Sequence, residues 1–166
     1  MRNLNHKYIV LILFLTLIFN ACSSQKSKLE NQQKITQLIE SNHFKFIAQQ
    51  ANPLRGNIIS SQLRNLDGSY NLKISQDSVQ CYLPYFGQAR QADYGSNDTG
   101  IKFLSTDFIY SKIKMDNDHY QMTIIPNGDP KTSKLILEVS ASGYATLNVT
   151  SIYRDQISFT GIIEKY

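Results

Sequence analysis

The sequence has no tryptophan, a low content of charged residues and no long apolar run, and each shortage narrows its class. Charged residues make up 18% of the 166 residues, below the quarter usual in globular proteins, while hydrophobic residues at 42% suffice for a packed interior. Wholesale disorder is therefore excluded, and the length suits one domain after an export segment is removed. Ten tyrosines and eight phenylalanines favour β-strands.

The sequence also lacks a cluster of basic residues. The formal net charge is +4, but Arg2 and Lys7 lie in the N-terminal segment, so the rest of the chain has 15 positive against 13 negative residues, or +2. The remaining lysines and arginines are scattered, with no run that would neutralise successive phosphates. We therefore expect no nucleic acid among its partners.

The N-terminal segment is typical of a signal peptide. Arg2 and Lys7 form a basic region, residues 8–19 form an apolar run of twelve, and Asn20-Ala21-Cys22 follows. Because a membrane-spanning helix needs about 20 apolar residues, this run favours a cleaved signal peptide over a short membrane anchor or a buried core helix.

Cys22 resembles the lipid-attachment residue of bacterial lipoproteins, since it directly follows the small residue Ala21 at the end of the apolar run. The resemblance implies that a diacylglyceryl group is attached to the thiol, that a peptidase cuts between Ala21 and Cys22, and that the new amine is acylated, for instance with palmitate. Phe19 and Asn20 depart from the residues common at their positions, so an ordinary secretory cleavage is the alternative. Several acyl chains would make the anchor effectively permanent, because each buried methylene contributes about 0.8 kcal/mol.

These features divide the chain into a signal peptide at 1–21, a polar tether at 22–28 and a single domain at 29–166. No Asp follows the cysteine, which by the familiar sorting rule favours the outer membrane over the inner one. The tether lacks the acidic patch associated with surface export, so we expect the protein to face the periplasm. The expected partners are the membrane, through the lipid anchor, and an envelope protein or a small hydrophobic ligand.

Motifs for catalysis, metal binding and cofactor binding are missing. The chain has no Gly-x-Ser-x-Gly, no P-loop and no dinucleotide fingerprint, and His43 and His119 lack the spacing to cysteines or carboxylates that a metal site requires. Cys81 fits a strand pattern and is expected in the core rather than as a catalytic thiol. We therefore predict no catalytic residues, no metal, no cofactor and no enzymatic activity. An envelope hydrolase is a third reading that rests on three carboxylates in or near one long loop: Asp93, Asp98 and Asp107.

Alternating apolar and polar residues predict a series of short strands after an amphipathic helix over 28–41. Strand candidates begin at residue 44 and continue over 70–74, 79–83, 101–104, 108–115, 119–125, 133–140, 144–152 and 156–163. Short turns about every ten residues and only one long connection, 87–100, indicate an all-β antiparallel meander. Closing the meander into a barrel of about eight strands would remove its exposed edges, with the helix capping one end.

The same alternation predicts which side chains face the interior. They are Val79, Cys81, Leu83, Leu135, Leu137, Val139, Ala145, Leu147, Val149, Ile157 and Phe159.

Several segments resemble the uncharacterised Bacteroidetes lipoproteins grouped as domain of unknown function 4251. These segments are Ala51-Asn52-Pro53, Tyr70-Asn71-Leu72, Asp77-Ser78-Val79, Tyr82-Leu83-Pro84-Tyr85-Phe86-Gly87, Gly100-Ile101-Lys102-Phe103 and Ile157-Ser158-Phe159. The resemblance runs from about residue 44 to the C-terminus, and the Leu-Pro-Tyr-Phe-Gly stretch is its most specific part. It implies a lipocalin-like β-barrel and no known activity, so it assigns no catalytic residue.

The main candidate binding site follows that stretch. Tyr85 and Phe86 come just after a proline that should end a strand, and Arg90 and Tyr94 lie in the long loop, so these four side chains are predicted at a barrel rim. A cation beside aromatic rings would suit a carboxylate or phosphate head group with an apolar tail. The alternative is that the rings seal the barrel end.

Ser78 is a candidate for modification. Asp77-Ser78-Val79 matches the O-glycosylation pattern of Bacteroidetes, and the alternative is an Asp-capped turn.

Taken together, these features predict first a non-catalytic, lipid-anchored binding or accessory module in the periplasm. The second prediction is a lipocalin-like carrier of a small hydrophobic ligand or lipid.

Overall fold

A computed structural model describes residues 25–54, 64–87, 100–127 and 132–166. A helix, α1, spans residues 25–40 and is followed by nine strands. The strands are β1 (Phe44–Pro53), β2 (Asn71–Ile74), β3 (Val79–Leu83), β4 (Ile101–Ser105), β5 (Phe108–Lys114), β6 (Tyr120–Pro126), β7 (Lys134–Val139), β8 (Tyr144–Thr150) and β9 (Ile157–Glu164). Pro53 ends β1, as expected of a residue that cannot donate to a ladder.

All nine strands belong to one antiparallel sheet in the order β4-β3-β2-β1-β9-β8-β7-β6-β5, which curls into a nearly closed barrel. The predicted all-β meander with a short N-terminal helix is confirmed. Because eight antiparallel pairings separate β4 from β5, these two strands point the same way. Only Thr106 and Asp107 lie between them, so β4 and β5 act as one bent strand that pairs first with β3 and then with β6. The nine strands therefore occupy eight strand positions around the barrel wall.

The interior is filled by side chains, and every residue of the predicted interior set is buried. An eight-position barrel is just wide enough for side chains to fill it. The largest side chains that are fully buried are Phe44, Phe46, Phe159, Ile39, Leu72, Ile74, Leu83, Met122, Ile124, Leu135, Leu137 and Leu147. Large aliphatic and aromatic groups thus occupy the space in which a carrier would hold its ligand.

The last turns of α1 are bonded to the inner side of β5. Lys112 donates from Nζ to the Ile39 carbonyl at 3.2 Å and to Asn42 Oδ1 at 3.2 Å, and it forms an ion pair with Glu40 at 3.1 Å. The Tyr110 hydroxyl donates to the same Asn42 oxygen at 3.3 Å. The Ile39 carbonyl also accepts a bond from the Asn42 N–H at 3.2 Å, so the lysine adds a second bond at the helix end, where the helix dipole favours a positive charge.

A bulge in β1 and a glycine in β9 shape the wall on the opposite side. The register between these strands shifts between Ala48 and Gln50, so Gln49 is an extra residue in β1. Next to the bulge, a Cβ at Gly161 would overlap the Ile47 carbonyl oxygen. Only glycine permits this approach of the two backbones, next to a bulge of the kind that bends a strand.

Candidate functional site

The rim that contains Tyr85 is held together by bonds between three chain segments. The Tyr85 hydroxyl donates to the Asp155 carbonyl at 3.1 Å, and the Arg154 guanidinium lies 4.9 Å from the centre of the Tyr85 ring. Arg154 also donates to the Gly100 carbonyl at 3.1 Å. The end of β3, the start of β4 and the β8–β9 connection are therefore joined through one tyrosine and one arginine.

The Leu-Pro-Tyr-Phe-Gly stretch owes its residue types to this arrangement. Leu83 is the last residue of β3, and Pro84 ends the ladder. A Cβ at Gly87 would lie 2.5 Å from the Tyr85 hydroxyl oxygen, so the glycine leaves room for the ring to turn back. Tyr85 and Phe86 are both half-buried and pack against the core. Both rings therefore contribute to closing this end of the barrel.

The space beneath Tyr85 is small. A cavity lined by Tyr85, Ile101, Val149, Arg154 and Ile157 among others offers about 10 Å³ to solvent, the room that a single water molecule needs. A lipid tail does not fit there. The described part of the rim is closely packed around the cation–π pair of Arg154 and Tyr85.

Two of the four predicted rim residues, Arg90 and Tyr94, lie outside the described residues, as do Ala21 and Cys22 at the predicted cleavage and lipidation site. Lipidation, cleavage and ligand binding at the rim therefore stay predictions. Arg154 is a rim residue that the sequence patterns did not indicate. Its partners Tyr85 and Gly100 lie more than 50 positions away, so no local pattern indicated them.

Ser78 lies in the β2–β3 turn with its hydroxyl engaged. Its Oγ is 2.7 Å from Ser75 Oγ, and it also donates to Asp77 Oδ1 at 3.2 Å. Hydrogen bonds from Ser75 and Ser78 lower the pKa of the Asp77 carboxyl. The geometry is that of an Asp-capped turn, and O-glycosylation of Ser78 stays a prediction.

The remaining candidates for chemistry are dispersed. Cys81 is buried in the core, and His43 and His119 are exposed at separate positions, with the His43 ring stacked on Tyr166. Asp107 accepts a bond from Asn127 at 3.0 Å and thereby fixes the β4–β5 bend, while Asp93 and Asp98 lie outside the described residues. Among the residues that the structure describes, no three histidines, cysteines or carboxylates form a group able to hold a metal.

A cleft of about 560 Å³ lies on the outer side of the wall, across β6 to β9 and the β1 bulge. Its volume is within the range of small-molecule sites. The residues along it are mostly polar or aromatic: Gln49, Met115, His119, Tyr120, Glu138, Val139, Ser140, Tyr144, Ala145, Thr146, Thr160 and Gly161. Nothing in the sequence indicated this cleft. Alternation shows which side chains of a strand face outward, but not whether those side chains line a cleft or a flat surface. We name it the outer cleft.

The fold and these sites define a small β-barrel with a packed interior and a cleft on its outer side. Within the described ranges, no helix has the length and hydropathy needed to cross a membrane.

The model of the family described as "Domain of unknown function (DUF4251)" matches residues 26–163, so the chain belongs to this family. A crystal structure of a DUF4251 family protein from Bacteroides eggerthii is similar to it, with a TM-score of 0.53 and 10% sequence identity. That similarity covers 81% of this chain and 87% of the other. No curated protein matches the chain. The comparisons thus agree on the family and the fold, and the family's own description carries no activity.

Proposed function

We propose that this protein is a lipid-anchored module of the bacterial cell envelope that binds a partner on its outer surface and catalyses no reaction. The proposal combines the anchor expected at Cys22 with the form of the barrel. It places the protein at the outer membrane, facing the periplasm.

The packed interior is the observation that carries the binding part of the proposal. Phe44, Phe46 and Phe159 are each fully buried, together with nine aliphatic side chains of similar size. Binding inside the barrel would require several of these groups to leave, at a cost of about 2–5 kcal/mol each by analogy with core truncations. A lipocalin-like carrier is therefore the less favoured reading, and the outer surface is where a partner finds a concavity already formed.

The anchor is tested by replacing Cys22. In cells grown with radiolabelled fatty acid, the natural chain should carry label and sediment with membranes. The Cys22→Ala variant should carry no label, and its release from membranes should be complete because no other acylated residue is proposed. Cys81→Ala is the matched control, since it removes the second cysteine and should leave labelling unchanged. Label retained by Cys22→Ala would overturn the anchor.

A further inference from the structure

We propose that the outer cleft binds a neutral oligosaccharide. This names a ligand class for the surface binding proposed above and rests on that function. Four features carry it: the position of the cleft in the sheet, its row of hydrogen-bonding side chains, its charge and its exposed tyrosine.

The floor of the outer cleft is made of strands that already have neighbours. β7, β8 and β9 are each paired on both sides, so their main-chain donors and acceptors are used within the sheet. A peptide that binds by adding a strand needs a free edge, which these strands do not offer. Recognition in this cleft therefore depends on side chains.

The side chains of the floor form a row across the sheet. Glu138 pairs in register with Thr146, and Thr146 pairs with Thr160, so their outward groups lie side by side at the strand spacing of about 4.8 Å. Gln49 extends the row at the bulge. The hydroxyl and amide groups both donate and accept hydrogen bonds, and the carboxylate accepts them, as a ligand rich in hydroxyl groups requires.

The charge of the outer cleft limits the class of ligand further. Among the described residues that line it there is no lysine or arginine, and Glu138 is its carboxylate. Phosphate and carboxylate ligands rely on Lys or Arg for charge-assisted hydrogen bonds, so an anionic ligand is disfavoured. The Glu138 Oε1 atom accepts a bond from Gln121 Nε2 at 3.2 Å, which orients the carboxylate and leaves its second oxygen for a ligand hydroxyl.

The border of the outer cleft supplies apolar contact. Tyr144 is 67% exposed, and Met115 is 51% exposed. A tyrosine ring offers a rigid flat surface with a polar tip, which suits a sugar ring that has an apolar face and hydroxyl groups at its edge. The combination of a flat aromatic side chain with a row of hydroxyl and amide groups and one carboxylate fits a saccharide better than a lipid.

The test is calorimetric titration of three neutral hexasaccharides, maltohexaose, cellohexaose and chitohexaose, into the full chain in a detergent without a sugar head group. We expect at least one to bind with a Kd below about 1 mM. Tyr144→Ala and Glu138→Ala should each weaken that binding about tenfold or more, because the first removes a stacked contact with the sugar and the second a hydrogen bond.

Matched controls use the same residue types elsewhere. Tyr153→Ala removes a partly exposed tyrosine, and Glu164→Ala removes an exposed carboxylate paired with Lys45, and neither residue lines the outer cleft. Both should bind like the natural chain, and melting temperatures verify that all four variants fold. Hexalysine, as a basic peptide, is titrated in the same way. The inference would be overturned if none of the three sugars binds at about 10 mM, if the control variants lose as much binding as Tyr144→Ala and Glu138→Ala, or if only hexalysine binds. None of these outcomes alters the Cys22 experiment, so the two proposals fail separately.

Discussion

Leu137 and Glu138 are neighbours in β7 whose side chains point to opposite sides of the wall. Leu137 is fully buried, whereas Glu138 is exposed. Leu137→Asp should lower the free energy of unfolding by about 4 kcal/mol or more, because it places an unpaired carboxylate in the core. Glu138→Gln should change it by about 0.5 kcal/mol or less. Thermal melting of the two variants measures the difference, and equal effects would show that the register of β7 is wrong.

Tyr110 links stability to alkaline pH. Burial, and secondly the negative charge of Glu40, raise the pKa of its hydroxyl to about 12 from the ordinary value of 10.0. Because the folded state holds the proton more tightly than the unfolded state, this contribution to stability is complete below pH 10 and is lost as the pH rises through 12.

Urea unfolding at several pH values tests this linkage. Between pH 10 and pH 12 the natural chain should lose more stability than Tyr110→Phe, which has no proton to release at this position. Tyr153→Phe serves as the control because it keeps Tyr110 and alters an exposed ring. Parallel curves for the natural chain and Tyr110→Phe would contradict the assignment.

The contact between the helix α1 and the strand β5 depends on Lys112, one of two lysines in that strand. Lys112 bonds the helix end and is 19% exposed, whereas Lys114 is 55% exposed and pairs with Asp118. Lys112→Ala should therefore destabilise the protein by about 1–3 kcal/mol, and Lys114→Ala by less than about 1 kcal/mol. Denaturant unfolding measures both, and equal losses would mean that Lys112 does not hold the helix.

The elements themselves were largely predictable, and their connections were less so. Alternation predicted β7 and β8 because a period of two is visible wherever one face of a strand is buried. That β4 and β5 form one bent strand depends on pairing with β3 on one side and β6 on the other, which no local pattern contains. The proline of Leu-Pro-Tyr-Phe-Gly predicted a strand end, and β3 ends at Leu83, directly before it; binding at the rim stays a prediction.

The candidate sites were harder to predict than the strands. The partner of Tyr85 at the rim is Arg154, a distant turn residue. The outer cleft gathers polar residues from five strands, and polar residues on an outer face look the same in sequence whether they line a cleft or a plain surface. The bulge at Gln49 and the close approach at Gly161, which both line the cleft, depend on the pairing of β1 with β9 and are not visible in the sequence of either strand.

The molecule as a whole is a barrel whose described interior is filled by large side chains. Its wall has eight strand positions, and the cavity beneath Tyr85 has room for about one water. Within the described ranges, the barrel has no inner compartment of the size that a hydrophobic ligand needs. The binding that we propose therefore uses the outer surface.

Native mass spectrometry of the protein extracted from its own membranes tests this claim most directly, because it weighs the folded chain together with whatever the chain retains. The account predicts the mass of the chain from Cys22 to the C-terminus plus its covalent acyl groups, with no stoichiometric hydrophobic molecule. A lipid or other apolar molecule that is retained one to one, and released only when the barrel unfolds, would contradict it.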